Sequence, residues 1–230
     1  MMTCASLAAQ SGSGMGAGTI AQGNFPSLER GINLYAEGKW RDAINELRRA
    51  QNARADRDTM AESIFWISLA ELSLGDYESA LRDMEYLEIM DSSNQRITEM
   101  KYHKGRALFY LGRHSDAIVI LKAYTDAILS ESTQDRARRT AAYYWIGECL
   151  YAAEVYDDAE KIFNIIIQNY PESVKFEAAS YRVELIAQKR IEAGLQKQID
   201  LNKEDYRRKL QDAETRIQIL EGQLRNVRSE

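Results

Sequence analysis

The sequence has almost no proline: two residues in 230, Pro26 and Pro171. Both stand where a helix would begin or end, so the helices between them escape the break that an interior proline imposes. Cysteine is equally scarce. Cys4 and Cys149 cannot make a disulfide framework, and with only His103 and His114 beside them they do not make an ordinary structural zinc site. The histidines are eleven residues apart, which does not put them on one helix face at ligand spacing. No window nears the ~20 continuous apolar residues of a membrane span. The glycines between 12 and 18 precede no strand–helix unit, so there is no phosphate loop. A basic excess is missing too. Lys and Arg number 30 against 35 Asp and Glu, a net charge of −5, which argues against a sequence-independent grip on nucleic acid. What is present is an ordinary globular balance, 45% apolar and 28% charged, enough to bury a sizeable core.

The first 23 residues stand apart. Met1 to Ala9 is small and apolar, and Ser6-Leu7-Ala8 resembles the small-x-small end of a secretory signal, without its charged start. Residues 10–23 are rich in Gly and Ser and are expected to hold no helix. Two readings stay open for residues 1–23: a clipped signal segment and a flexible tail.

From residue 24 the chain repeats itself. Gly38-Lys39-Trp40-Arg41-Asp42-Ala43 is echoed by Gly75-Asp76-Tyr77-Glu78-Ser79-Ala80 and by Gly112-Arg113-His114-Ser115-Asp116-Ala117. Glu154-Val155-Tyr156-Asp157-Asp158-Ala159 is the fourth instance, and the alanines are spaced by 37, 37 and 42 residues. Each fixed residue has a physical reason. Gly31, Gly105 and Gly147, with Ser68 in the second unit, lie mid-helix where a larger side chain would meet a paired helix. Gly38, Gly75 and Gly112 close that first helix in a left-handed turn. The aromatics at 40, 77 and 156 wedge into the inter-helix turn. Asp42, Ser79, Asp116 and Asp158 are expected to cap the second helix. The alanines let the two helices approach.

This pattern resembles the tetratricopeptide repeat, a helix–turn–helix of 34 residues. The fourth unit, from Ala142-Tyr143-Tyr144-Trp145-Ile146-Gly147 through Pro171-Glu172-Ser173, is the strongest match. It is similar to the repeats of bacterial envelope proteins of the outer-membrane-assembly and Tol-associated kind. His114 departs from the pattern where an aromatic wedge belongs, and Glu154 where a capping glycine belongs. The resemblance implies an all-α fold with four repeats over 24–175. First helices are predicted near 26–37, 60–74, 97–111 and 137–153, and second helices near 42–55, 79–90, 116–129 and 158–169. Antiparallel pairs would stack into a right-handed superhelix with a concave face. A capping helix over 176–230, with Tyr181, Val183 and Leu185 against the last pair, would continue into a coiled coil.

In that last segment apolar residues fall at Tyr206, Leu210, Ala213, Ile217, Leu220, Leu224 and Val227, alternating by four and three. That is the heptad rule of a coiled-coil seam. In a parallel pair Lys209 would face Glu214 of a second chain, and Arg216 would face Glu221. Upstream, Lys203 and Gln196 interrupt the seam. A homodimer and a hetero-coiled coil through 200–230 both fit.

Chemistry-bearing constellations are lacking. Cys149 reads as a small buried filler, Asp157-Asp158 as helix-start acids, and no cofactor is expected. The function expected is protein binding. By the family's pattern the concave groove would be lined by Tyr35, Phe65, Leu69, Tyr102, Arg106, Phe109, Tyr110, Tyr144 and Tyr151. Leu28, Ile32, Leu72 and Glu148 fall at further groove positions. Aromatic side chains with polar tips suit such surfaces. The family's two-carboxylate clamp needs Lys, Asn and Arg where this chain has Leu28, Ile32, Trp66, Glu99 and His103, so an apolar or aromatic ligand segment is expected instead. The setting expected is a periplasmic scaffold within an envelope assembly, flagellar collars included. The alternative is a cytoplasmic adaptor.

Overall fold

The computed structural model describes residues 26–53, 56–128, 130 and 132–228. The expected tail over 1–23, with Cys4, lies outside the described residues. The described chain is helical throughout and falls into two compact units, one up to Ala179 and one from Ser180.

The first unit is four antiparallel helix pairs. The first helices are α1 (Pro26–Ala36), α3 (Arg57–Leu74), α5 (Arg96–Tyr110) and α7 (Thr133–Ala152). Their partners are α2 (Trp40–Asn52), α4 (Tyr77–Met90), α6 (His114–Ala127) and α8 (Tyr156–Asn169). Two first helices, α3 and α7, start three and four residues earlier than the periodicity predicts, and each has a capping side chain that accounts for it. Asp56 accepts a hydrogen bond from the Thr59 N–H at 2.7 Å, and Ser132 accepts from the Asp135 N–H at 3.2 Å. The expected second helices over 42–55 and 116–129 reach into residues 54, 55 and 129, which are outside the described set.

The expected caps of the second helices need correction. These helices begin at Trp40, Tyr77, His114 and Tyr156, so Asp42, Ser79, Asp116 and Asp158 sit inside the first turn rather than at the cap. Only α4 has a side-chain cap, Asp76, which accepts from the Ser79 N–H at 3.2 Å. In α2, α6 and α8 the acids act through their charge at the positive end of the helix. The aromatics are thus the first helical residues, not turn residues.

Close approach explains the repeat's small residues. A Cβ added to Gly31 would lie 2.6 Å from the Leu47 side chain, and one added to Gly147 would lie 2.6 Å from the Phe163 ring. At Gly105 it would collide with Leu121 in the same way. Unit two has Ser68 at this position, with its hydroxyl turned back onto the Phe65 carbonyl at 2.7 Å. Opposite stand Leu47, Met84, Leu121 and Phe163, all fully buried, as are Ala43, Ala80, Ala117 and Ala159. The turn glycines have φ near 76, 82 and 73° at Gly38, Gly75 and Gly112. Glu154 takes the same left-handed conformation at φ 60°, so the turn geometry is kept even where its glycine is gone.

First helices touch one another in sequence, α1 to α3, α3 to α5 and α5 to α7, while no comparable contacts join α2, α4, α6 and α8. A stack whose one layer is closer-set curves toward that layer, so α1, α3, α5 and α7 form the inner face.

α9 (Phe176–Val227) leaves the first unit at Ala179 and makes up the second. Its buried residues are Ala179 and Ile186, seven apart and therefore on one face. Tyr181 lies on the other side and is exposed; Val183 and Leu185 are half-buried. No helix among the described residues is long and apolar enough to cross a membrane.

Candidate functional site

The inner face of units three and four is a bed of aromatic rings with cations laid on it. Tyr102, Arg106, Phe109 and Tyr110 recur at intervals of four, three and one along α5, which puts them on one side of the helix. Trp145 of α7 reaches across, and its Nε1–H donates to the Tyr102 hydroxyl at 3.2 Å. The Arg106 guanidinium lies 5.7 Å from the Tyr102 ring and 5.5 Å from the Trp145 ring. Phe109 and Tyr110 meet Trp145 edge-on at 5.1 and 5.7 Å between centroids. Tyr110, 45% exposed, also stacks face to face on Tyr77 at 4.5 Å. Rings clamped this way lose little further freedom when a ligand lands on them.

A second cation extends the bed. Lys175 Nζ sits 4.8 Å above the Tyr144 ring. Burial and the nearby Arg106 charge hold its ammonium below the usual lysine range, with buried Glu148 pulling the other way. The Nε of Arg106 is buried without a hydrogen-bond partner. Two cations of one sign above π faces attract an anion, and the rings around them attract apolar groups. Tyr151, packed on Tyr156 at 5.4 Å, carries the surface to the end of α7.

Unit two is different. Phe65 and Leu69, expected in the groove, are 0% and 2% exposed and belong to the core with Met84, Met100 and Ala107. Leu72 is buried as well. The reason is a polar roof. Arg96 lays its guanidinium 4.7 Å over the Phe65 ring and is pinned there by two bonds to Glu62, at 2.8 and 3.0 Å, and one to Glu99 at 3.0 Å. What reaches the surface is the next residue, Trp66, whose Nε1–H donates to Glu62 at 3.2 Å and whose ring meets Tyr35 at 5.2 Å. Leu28 of unit one is buried, and Ile32 packs against the first core. Of the sequence-derived set, the structure unites Tyr102, Arg106, Phe109, Tyr110 and Tyr144 around Trp145. It places Tyr35 and Tyr151 toward either end and removes Phe65 and Leu69.

Trp145 and Lys175 are not among the expected groove residues, and Trp66 enters the expectation only as a clamp position lacking the clamp residue. The tryptophans follow Tyr144 and Phe65 by one position, so a one-residue shift of the repeat register exposes them in the sequence. Lys175 follows α8, beyond any first helix, and the repeat pattern carries no signal for it.

Cys149 and His103 are held neutral by their surroundings. Burial pushes the Cys149 thiol up to about 12, and burial with the Arg106 charge lowers His103 to about 3. A thiol that stays protonated is a poor nucleophile. No group of three or more His, Cys, Asp and Glu able to hold a metal occurs among the described residues.

Comparison with known proteins agrees with the repeat fold. A tetratricopeptide repeat profile matches residues 28–94 and 67–130, and a second one matches 141–173. The chain is a tetratricopeptide repeat protein. No curated protein sequence matches it. Among solved structures it is similar to nearly identical TPR-like repeats of kinesin light chain type from Podosopora anserina. There the identity is 12%, 70% of this chain and 84% of that one align, and the TM-score is 0.58. It is also similar to MamA from Desulfovibrio magneticus RS-1, at 18% identity, 73% and 96% coverage and a TM-score of 0.54. A Rap protein complexed with Competence and Sporulation Factor aligns at 16% identity and a TM-score of 0.55. That alignment takes in 73% of this chain and 49% of the Rap protein, about half its length. At these identities the likeness is one of fold.

Proposed function

We propose that this protein is a scaffold whose inner face, over α5 and α7, captures a partner segment carrying aromatic or apolar side chains together with a carboxylate. The observation that carries this is the ring bed of Tyr102, Phe109, Tyr110 and Trp145 with Arg106 lying over it. A half-buried guanidinium on aromatic faces is an arrangement that gains from an anion and loses little entropy on binding one. The Rap protein, of similar fold, is complexed with Competence and Sporulation Factor, which fits a repeat array holding a partner. The setting proposed is a bacterial envelope or periplasmic assembly, such as a flagellar collar. Its support is the small-residue pattern of Ser6-Leu7-Ala8 and the likeness of unit four to envelope repeats. The long α9 contributes association with a second helix, supported by its heptad-spaced apolar residues.

Site-specific photo-cross-linking in native cells tests this. A photoreactive residue at Tyr110 is expected to trap a partner, and Arg106→Glu in the same chain to abolish the adduct. A probe at Val119, 66% exposed on an outer helix, is expected to trap none. Adducts from position 119 but not 110 would move recognition to the outer face. Recovery of the adduct in the periplasmic fraction tests the setting.

A further inference from the structure

The apolar stripe of α9 is longer than its heptads. Starting at Ile191 it continues through Leu195, Ile199, Asn202, Tyr206, Leu210, Ala213, Ile217, Leu220, Leu224 and Val227, at intervals of 4, 4, 3, 4, 4, 3, 4, 3, 4 and 3. Two eleven-residue repeats are followed by two heptads. At 100° per residue all these positions fall within a sector of about 100°, over a length of about 54 Å. Lys203 and Gln196 interrupt a strict heptad but lie outside this sector. The large apolar members from Ile191 to Leu224 are between 47 and 72% exposed. The side chain of Val227 lies outside the described set. Asn202 is the single polar member of this series, and Lys209 stands at the edge of the same sector.

We infer that the occupant of this stripe is the same stripe of a second copy of this chain, running parallel and in register. The inference rests on the association part of the proposed function and specifies it. Charge decides the partner and the direction. One flank of the heptad part carries Lys209 and Arg216; the other carries Glu214 and Glu221, between Arg207 and Arg228. Two such helices laid parallel bring basic flank to acidic flank on both sides, Lys209 to Glu214 and Arg216 to Glu221 of the partner. Laid antiparallel, each flank meets its own kind, and both rows repel. A helix with opposite flanks is complementary to itself only in the parallel sense. Lys209 is bonded to Asp205 on its own helix at 2.7 Å, which leaves two of its three donors for the partner.

Asn202 fixes the register. An amide in an apolar seam finds a hydrogen-bonding partner only if the opposite chain offers one at the same level. In a parallel, unshifted pair Asn202 meets Asn202. A shift sets it against Ile199, Tyr206, Leu210 or Ala213, none of which offers the matching amide. The change from eleven-residue to seven-residue repeats adds a second constraint. The eleven-residue part keeps a nearly straight seam and the heptads turn it left-handed, so two copies match only when these regions coincide.

Three measurements on the full chain test this. Sedimentation equilibrium is expected to give a dimer, with Leu220→Asp weakening association at least tenfold while the helicity of the repeats is kept. In a Cys4→Ser background, Leu224→Cys is expected to oxidise to a disulfide-linked dimer. A monomer at tens of micromolar would overturn self-association and this inference together. A dimer in which Leu224→Cys does not link, but Ile191→Cys with Leu224→Cys links end to end, would overturn the parallel order alone. The photo-cross-link at Tyr110 reads the groove independently of all three.

Discussion

The repeat array and the helix that follows it use the same kind of side chain to opposite effect. Along α3 the apolar residues Phe65, Leu69 and Leu72 are spaced by four and three, and all are buried. Along α9 Leu210, Ile217, Leu220 and Leu224 have comparable spacing and are more than half exposed. The array folds back on itself every 37 residues or so, and each first helix is covered by its own partner and its neighbours. α9 runs from Phe176 to Val227 with no turn, and a straight helix cannot cover its own stripe. An amphipathic pattern therefore states that a face will be buried. Whether the same chain supplies the cover depends on a turn.

The largest expected effect breaks this comparison at one ring. Phe163→Ala removes the fully buried knob opposite Gly147 and should cost about 3–5 kcal/mol, measured by urea unfolding. Leu210→Ala in α9 should leave the unfolding free energy of the array unchanged within about 0.5 kcal/mol. Equal losses would mean the two regions fold as one.

A single substitution type should change sign between them. Gly147→Ala drives a Cβ to 2.6 Å from Phe163 and is expected to destabilise by about 1–3 kcal/mol. Gly222→Ala meets nothing within 4 Å, inside α9 and five residues before its end, and should raise helix stability by about 0.5–1 kcal/mol. Circular-dichroism melts of the two variants give the sign directly.

Acidity should separate the regions as well. Burial, reinforced by Asp83 and opposed by Arg48, pushes Glu71 up to about 7 from an ordinary 4.5. The folded state then holds a proton that the unfolded chain releases. This contribution is fully present below about pH 4.5 and is lost as pH rises through 7. Glu71→Gln is expected to flatten that slope and to be more stable than the parent at pH 8, on the order of 1–3 kcal/mol. An unchanged slope would assign the pH dependence to other groups. No comparable buried acid occurs among the described residues of α9.

The smallest effect concerns the fourth turn. Glu154 occupies a left-handed conformation at φ 60° that glycine adopts without strain. Glu154→Gly should therefore gain about 1 kcal/mol, visible as a rise in melting temperature.

Much of this architecture is legible in the residue pattern. The glycine and alanine positions announce helix pairs in contact, because only small residues permit that approach. Helix starts are less legible. Asp42, Asp116 and Asp158 look like caps, but a cap is defined by where the backbone leaves the helix, and here that happens two or three residues earlier. The groove is half legible. Position 102 and position 65 are equivalent in the repeat, yet Tyr102 stays half-buried while Phe65 is sealed by Arg96. That arginine comes from the next unit and is held by carboxylates on two helices, an arrangement with no local signature.

The sequence by itself determined the helix pairs, their repeat and the long amphipathic stripe of α9. These follow from backbone sterics and from periodicity, which act between residues a few positions apart. Only the tertiary structure decided which inner-face residues remain open. Accessibility depends on what a neighbouring unit lays on top, and long side chains such as Arg96, Trp145 and Lys175 cross between helices over distances that no local pattern encodes.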